Sequence, residues 1–179
     1  MAKVTDNILL SGVHGTFAKQ VVFRRYFGQL ILSKKPVFIN RVLSPAQQAV
    51  RARFRDAIIY GKSVLANPNV LALYQAVVKS GQSAYNLAVA DAFHAPEITR
   101  VDIHSGDTIC IRATDVIKVK MVSVLIYNTN RQLLETGNAI QDVDGNEWTY
   151  TIRIPVAGSK LEIRVYDLPG NVTIKELVL

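Results

Sequence analysis

Apolar residues repeat along this chain with two different periods, and the change falls near residue 96. From Glu97 onward they recur at every second position: Leu161, Ile163 and Val165 alternate with Lys160, Glu162 and Arg164, and Trp148, Tyr150, Ile152 and Ile154 follow the same rule. A period of two sends alternate side chains to opposite faces of a strand, one toward a core and one toward water. Strands are predicted near 98–104, 107–113, 119–127, 132–136, 147–154, 160–167 and 172–178, divided by turn-forming groups such as Asn128-Thr129-Asn130 and Pro169-Gly170-Asn171. Seven short strands at such intervals predict a β-sandwich. One of them is apolar on both faces, because Val122, Val124 and Ile126 alternate with Met121, Leu125 and Tyr127. That pattern asks for a cover on the outer side, from the N-terminal helices or from a second copy.

Upstream the period is 3.6. A helix is predicted from Ser44, with Pro45 at its first position and Gln47 three residues after the cap, a combination that satisfies orphan amides and pre-sets φ. Val50, Phe54, Ala57, Ile58, Val64 and Leu65 make its apolar stripe, and Asn67-Pro68 ends it, since proline disfavours helical geometry in the residue before it. Shorter helices follow over 69–79 and 83–93. The first forty residues read as strands: Asn7 to Ser11, then Val21-Val22-Phe23 and Leu30-Ile31-Leu32 as a hairpin turning at Gly28. Two or three short strands are too few for a stable sheet, so they must pack on the helices, join the C-terminal sheet or pair with another chain. The fold class is therefore α+β: an N-terminal β-hairpin and three-helix segment over 1–95, then a seven-stranded β-sandwich domain over 96–179.

An apolar fraction of 49% with 20% charged residues places the chain among packed globular proteins and away from disorder. The longest apolar runs fall short of the roughly 20 residues that cross a bilayer, and the N-terminus has too short an apolar stretch for a signal peptide. The expectation is cytoplasmic synthesis, with non-classical release or assembly into an extracellular particle left open. Cys110 is the single cysteine, which excludes an internal disulfide framework. Charge is unevenly placed: residues 1–95 carry twelve lysines and arginines against three aspartates, a balance of +9, whereas 96–179 balance at −2. Such asymmetry fits a nucleic-acid partner or head-to-tail attraction between copies.

No residue set carries an evident chemistry. His94 with Glu97 and His104 with Asp107 match no established metal spacing, and Asp142, Asp144 and Asn146 open like a calcium loop but lack its closing glutamate. Gly12-Val13-His14-Gly15 lacks the Lys-Ser/Thr of a phosphate loop, and no Gly-x-Ser-x-Gly elbow occurs. The expectation is a non-enzyme without cofactor. Basic residues Lys19, Arg24, Arg25, Lys34, Lys35, Arg51 and Arg55 interleave with Phe23, Tyr26, Phe27 and Phe54, a composition that can neutralise phosphates and stack on bases.

The stretch Gly106 to Asp115, then Ser123 to Tyr127, Glu147 to Tyr150, and the Asp-x-x-Gly-Asn turn at Asp167, Gly170 and Asn171 resemble bacterial Ig-like modules over roughly the last eighty residues. Across its whole length the chain is also similar to small bacterial proteins, themselves uncharacterised, that join a Val-Val-Phe-Arg-Arg hairpin and a Leu-Ser-x-x-Gln-x-x-x-Arg-x-x-Phe helix to such a module; here the latter is Leu43, Ser44, Gln47, Arg51 and Phe54. The resemblance implies an adhesion, spacer or assembly unit and carries over no functional residues. The leading expectation is a self-assembling structural subunit of a filament, phage-like particle or surface assembly. Its contacts are expected through Val21, Val22, Phe23, Tyr26, Phe27, Leu30, Leu32, Val122, Val124 and Ile126. The alternatives are a basic nucleic-acid-binding module and a glycan- or surface-binding Ig-like module.

Overall fold

A computed structural model describes residues 2–4, 8–10, 12–26, 28–37, 42–104, 107–143, 145–154 and 159–178. They fall into two compact units, Met1–Ser44 and Pro45–Leu179. The architecture is mixed α+β, with three four-stranded antiparallel sheets among the described residues.

The first unit is a sheet of β1 (Ala2–Val4), β2 (Gly15–Phe17), β3 (Val21–Tyr26) and β4 (Gln29–Lys34) in the order β1-β4-β3-β2. The expected hairpin is present, with Tyr26 opposite Gln29 and Gly28 at φ +77°. The strands pair with one another, and two of them were not foreseen because a three-residue strand shows no alternation. Part of the predicted strand over Asn7 to Ser11 coils into a 3₁₀ turn at Ile8–Leu10, closed by the Val13 amide on the Leu10 carbonyl at 3.3 Å; Asn7 and Ser11 lie outside the described residues. Between β2 and β3, Ala18 and Lys19 both take left-handed backbone, at φ +49° and +58°, and the Gln20 amide donates to the Phe17 carbonyl at 3.1 Å.

The second unit begins with α1 (Pro45–Ala66), α2 (Pro68–Gln75) and α3 (Ala84–Phe93). Asn67 caps α2 by accepting from the Asn69 and Val70 amides, and Ser83 caps α3 by accepting from Asn86. These side chains satisfy amides that have no partner inside the helix, so each helix starts where the sequence places its cap. Val64, Tyr74 and Ala88 form the helical core, with Ile117 of the following sandwich packed against it. α1 and α3 meet closely at Gly61, where an added Cβ would lie 2.6 Å from Val89 Cγ2. Along α1 only Ala57, Gly61 and Val64 are buried, whereas Val50, Phe54 and Leu65 of the predicted stripe are exposed.

The sandwich comprises β5 (Glu97–Ile103), β6 (Thr108–Thr114), β7 (Val119–Tyr127), β8 (Leu133–Asn138), β9 (Ile140–Gln141), β10 (Glu147–Thr151), β11 (Lys160–Asp167) and β12 (Val172–Val178). One sheet runs β5-β6-β10-β9 and the other β12-β11-β7-β8. All seven predicted strands are present, and an eighth arises because the run from Leu133 to Gln141 pairs with β7 and then, past Ala139, with β10. One core joins the inward faces of both sheets, including Ile109, Ile111, Val122, Val124, Ile126, Trp148, Leu161 and Ile163.

Two expectations need correction. Val122, Val124 and Ile126 are fully buried between the sheets, where each contributes about 1.5–3 kcal/mol of apolar burial, so they are core residues and cannot meet a partner. The helices belong with the sandwich, which moves the division from 95/96 to 44/45. Change of period marks a change of element, whereas the unit is set by packing: Ile117 enters the helical core, and Thr173 Oγ1 donates to the Pro96 carbonyl. The outer side of β7 keeps Met121, Leu125 and Tyr127 half-buried, because the helices meet the β6–β7 loop and the β11–β12 turn.

Candidate interaction surfaces and a buried acidic junction

Strand register decides which side chains of the N-terminal sheet share a face. Phe17 stands opposite Val21 and Val21 opposite Lys34; Phe23 opposite Leu32; Arg25 opposite Leu30. One face therefore carries Phe17, Val21, Phe23, Leu30 and Leu32, with Arg25 and Lys34 at its ends. The other carries Thr16, Val22, Arg24, Tyr26, Gln29, Ile31 and Ser33. Of these five apolar residues Leu30 alone is buried, and Phe17 is 68% exposed. A sheet with an apolar face ordinarily buries it against a second layer. Of the residues expected to mediate assembly, Val21, Phe23, Leu30 and Leu32 are brought together here. Val22 and Tyr26 point to the opposite side, and Phe27 lies outside the described residues. Phe17, which alternation did not single out, completes the face.

The basic set is exposed but scattered. Arg25 and Lys34 flank the apolar face, Arg24 lies on the reverse side beside Ser33 at 3.4 Å, Lys19 sits in the β2–β3 turn and Lys35 follows β4. Arg51 and Arg55 belong to α1, in the other unit. Arg53 on the same helix is engaged with Phe93, donating to its carbonyl and stacking on its ring at 4.9 Å.

The outer face of the β12-β11-β7-β8 sheet is a second open surface. Register places Met121, Tyr166 and Val172 in one row, Ser123, Arg164 and Ile174 in the next, then Leu125, Glu162 and Glu176, then Tyr127, Lys160 and Val178. Glu162 pairs with Arg164 at 2.5 Å and Glu176 with Lys160 at 2.6 Å.

Where helices and sandwich join, three aspartates converge. Asp167, at the end of β11, accepts from the Gly170 amide at 2.7 Å, the Asn171 amide at 2.6 Å and Asn171 Nδ2 at 2.7 Å. The same Asn171 amide group reaches the carbonyls of Ala92 and His94 at 3.3 Å and so holds the unsatisfied end of α3. The Asp-x-x-Gly-Asn turn therefore joins helix to sandwich. Asp91 of α3 is fully buried and accepts from the Tyr74 hydroxyl at 2.6 Å; Tyr60 lies 2.9 Å beyond Tyr74. Burial, aided by the charges of Asp115 and Asp167, pushes the Asp91 carboxyl up to about 7 against the opposing Tyr74 hydrogen bond. Burial raises Asp115 as well, and raises Tyr74 far above the ordinary phenol range. The sequence held one sign of this: an aspartate on the inward side of α3, between Ala88 and Ala92.

Among the described residues no group of three or more His, Cys, Asp or Glu is arranged to hold a metal ion; Asp144 lies outside them. No described helix is long and apolar enough to cross a membrane. No protein-family model matches the chain, and no curated protein matches it. Among solved structures, CopC from Methylosinus trichosporium OB3b aligns with a TM-score of 0.35 at 17% identity, over 44% of this chain and 81% of that one. The carbohydrate-binding module family 56 β-1,3-glucan binding domain aligns with a TM-score of 0.33 at 11% identity, over 48% and 99%. Likeness at this level says nothing of what this chain binds.

Proposed function

We propose that the chain is a non-enzymatic structural protein that self-associates through the apolar face of its N-terminal sheet. One observation carries this: five apolar side chains share that face and only Leu30 is buried. The missing layer is a second copy, contributed by the outer face of its β12-β11-β7-β8 sheet, where Met121, Leu125, Tyr127 and Ile174 offer apolar area around Glu162 and Glu176. Residues 1–44 carry seven lysines and arginines against one aspartate, whereas 45–179 balance at +1, so head-to-tail contact meets less like-charge repulsion than face-to-face pairing of two basic sheets. Two different surfaces in contact build a ring or an open chain. The strand order also supports an Ig-like reading of the second unit, since β5-β6-β10-β9 and β12-β11-β7-β8 follow the ABED and GFC sheets of that fold with one added edge strand. Sedimentation velocity over a concentration series tests the assembly. Association is expected in the native chain and is expected to fail in Phe23→Glu and in Leu125→Glu; a monodisperse monomer at every concentration rejects it.

A second reading uses the same outer face. Tyr127 and Tyr166 stand at its two ends, about 20 Å apart at strand spacing, with Ser123 and Arg164 between, which suits an extended glycan. A glycan-array hit that is lost in Tyr166→Ala supports it, and an empty array removes it.

A further inference from the structure

The buried acidic junction is explained neither by the proposed assembly nor by packing alone. Asp91 Oδ1 is buried without a hydrogen-bond donor, and the buried carboxylate of Asp115, drawn on by the Val116 amide, lies within hydrogen-bonding reach of Asp91. Ionised carboxylates only accept, so two of them in contact leave their oxygens unsatisfied and repel. A single proton removes the repulsion and pairs Asp91 Oδ1 with one Asp115 oxygen. Donor directions assign its place: the Tyr74 hydrogen is committed to Asp91 Oδ2, so Tyr60 donates to Tyr74, and Asp91 Oδ1 carries the hydrogen that reaches Asp115. Four groups from four elements thus form one chain of donors, Tyr60 of α1, Tyr74 of α2, Asp91 of α3 and Asp115 of the β6–β7 loop.

We propose that the Asp91–Asp115 pair, sharing one proton, is a pH-sensitive latch that fastens the helical layer to the sandwich. The groups facing Asp91 are Tyr74 and, beyond it, Tyr60; Asp115; and Asp167. His94 acts on Asp115. None of these is a lysine or arginine, so the loss of the proton leaves Asp91 ionised between two other aspartates. Tyr60, the outer end of the chain, lines a groove of about 360 Å³ together with Ser63, Asn67, Leu73 and Lys120. The sign follows from proton counting. Asp91 keeps its proton in the folded state up to about 7 and loses it near 3.8 when unfolded. The stabilisation is complete below the lower value, declines as pH rises, and is gone above the higher one.

Hydrogen exchange of the full chain, expressed as protection factors for α1, α2 and α3, measures the latch. In the native chain protection is expected to fall by up to about tenfold per pH unit between roughly pH 5 and 7 and then level off, as one linked proton requires. Asp91→Asn donates to Asp115 and accepts from Tyr74 at every pH, so its protection is expected to fall clearly less steeply across that range, with only the buried Asp115 left to titrate. Equal slopes in the two proteins overturn the proposal. Should Asp91→Asn not fold, the carboxyl carbon-13 shift of Asp91 in the native chain decides: a midpoint near neutrality supports the shared proton, and one in the ordinary aspartate range overturns it.

Discussion

Gly61 shows how one residue can invert the usual effect of a substitution. At an open helix position Gly→Ala gains about 1 kcal/mol of helix propensity. Here the new methyl would lie 2.6 Å from Val89 Cγ2 and 3.1 Å from Tyr85 Cε2, and overpacking of this kind costs about 1–3 kcal/mol. Gly61→Ala is therefore expected to destabilise the second unit by about 1 kcal/mol net, read from the midpoint of urea unfolding; a gain in stability would mean that the α1–α3 contact relaxes without cost. Nothing in the sequence flagged this glycine, because close approach belongs to the pair of helices and only one of them is local. Asp91 was equally hard to read. A charged residue on an apolar helix face signals either a surface or a buried network, and Tyr74 and Asp115, which decide between them, are 17 and 24 positions away. The Asp167, Gly170 and Asn171 turn was legible as a pattern, while its hold on the end of α3 was not.

Elements with strong local chemistry were read well. Pro45 and Ser83 place two helix starts, because caps and proline act within one turn; Asn67-Pro68, read only as the end of α1, also caps α2, which stops at Gln75 and not at 79. Long alternating strands such as β7 and β11 were equally plain. Short strands failed, since β1, β2 and β9 each have three residues or fewer and reveal themselves only through partners. The β2–β3 connection hid for a further reason: it makes a tight turn with Ala18 and Lys19 at positive φ, where Asn-Gly is the usual signal. Left-handed backbone costs an ordinary residue about 1–2 kcal/mol. Replacing Ala18 by Asn and Lys19 by Gly is thus expected to stabilise the N-terminal sheet by about 1 kcal/mol, visible as slower amide exchange in β2 and β3. Unchanged exchange would show that these residues do not hold the left-handed turn in solution.

For the whole molecule, the decisive quantity is how self-association answers to salt. The proposed contact is mainly apolar, with the +6 balance of residues 1–44 steering it. At 0.1 M salt exposed charges more than about 10 Å apart are largely screened, whereas apolar burial stays intact. Raising salt from 50 to 200 mM is expected to weaken assembly by less than tenfold in sedimentation equilibrium. A collapse of about a thousandfold would instead mark a polyelectrolyte contact, the behaviour of phosphate-bound basic patches. Neither face of the first sheet could be assigned from sequence alone, since a shift of one position in register exchanges them.

The ribbon from Leu133 to Gln141 lies in both layers of the sandwich, giving its first part to β7 and its last to β10. Stripping it from one layer tugs at the other, so a mechanical load on either layer is felt by both. Under tension the two layers should rupture together, in a single step, with the bend at Ala139 acting as the rivet between them.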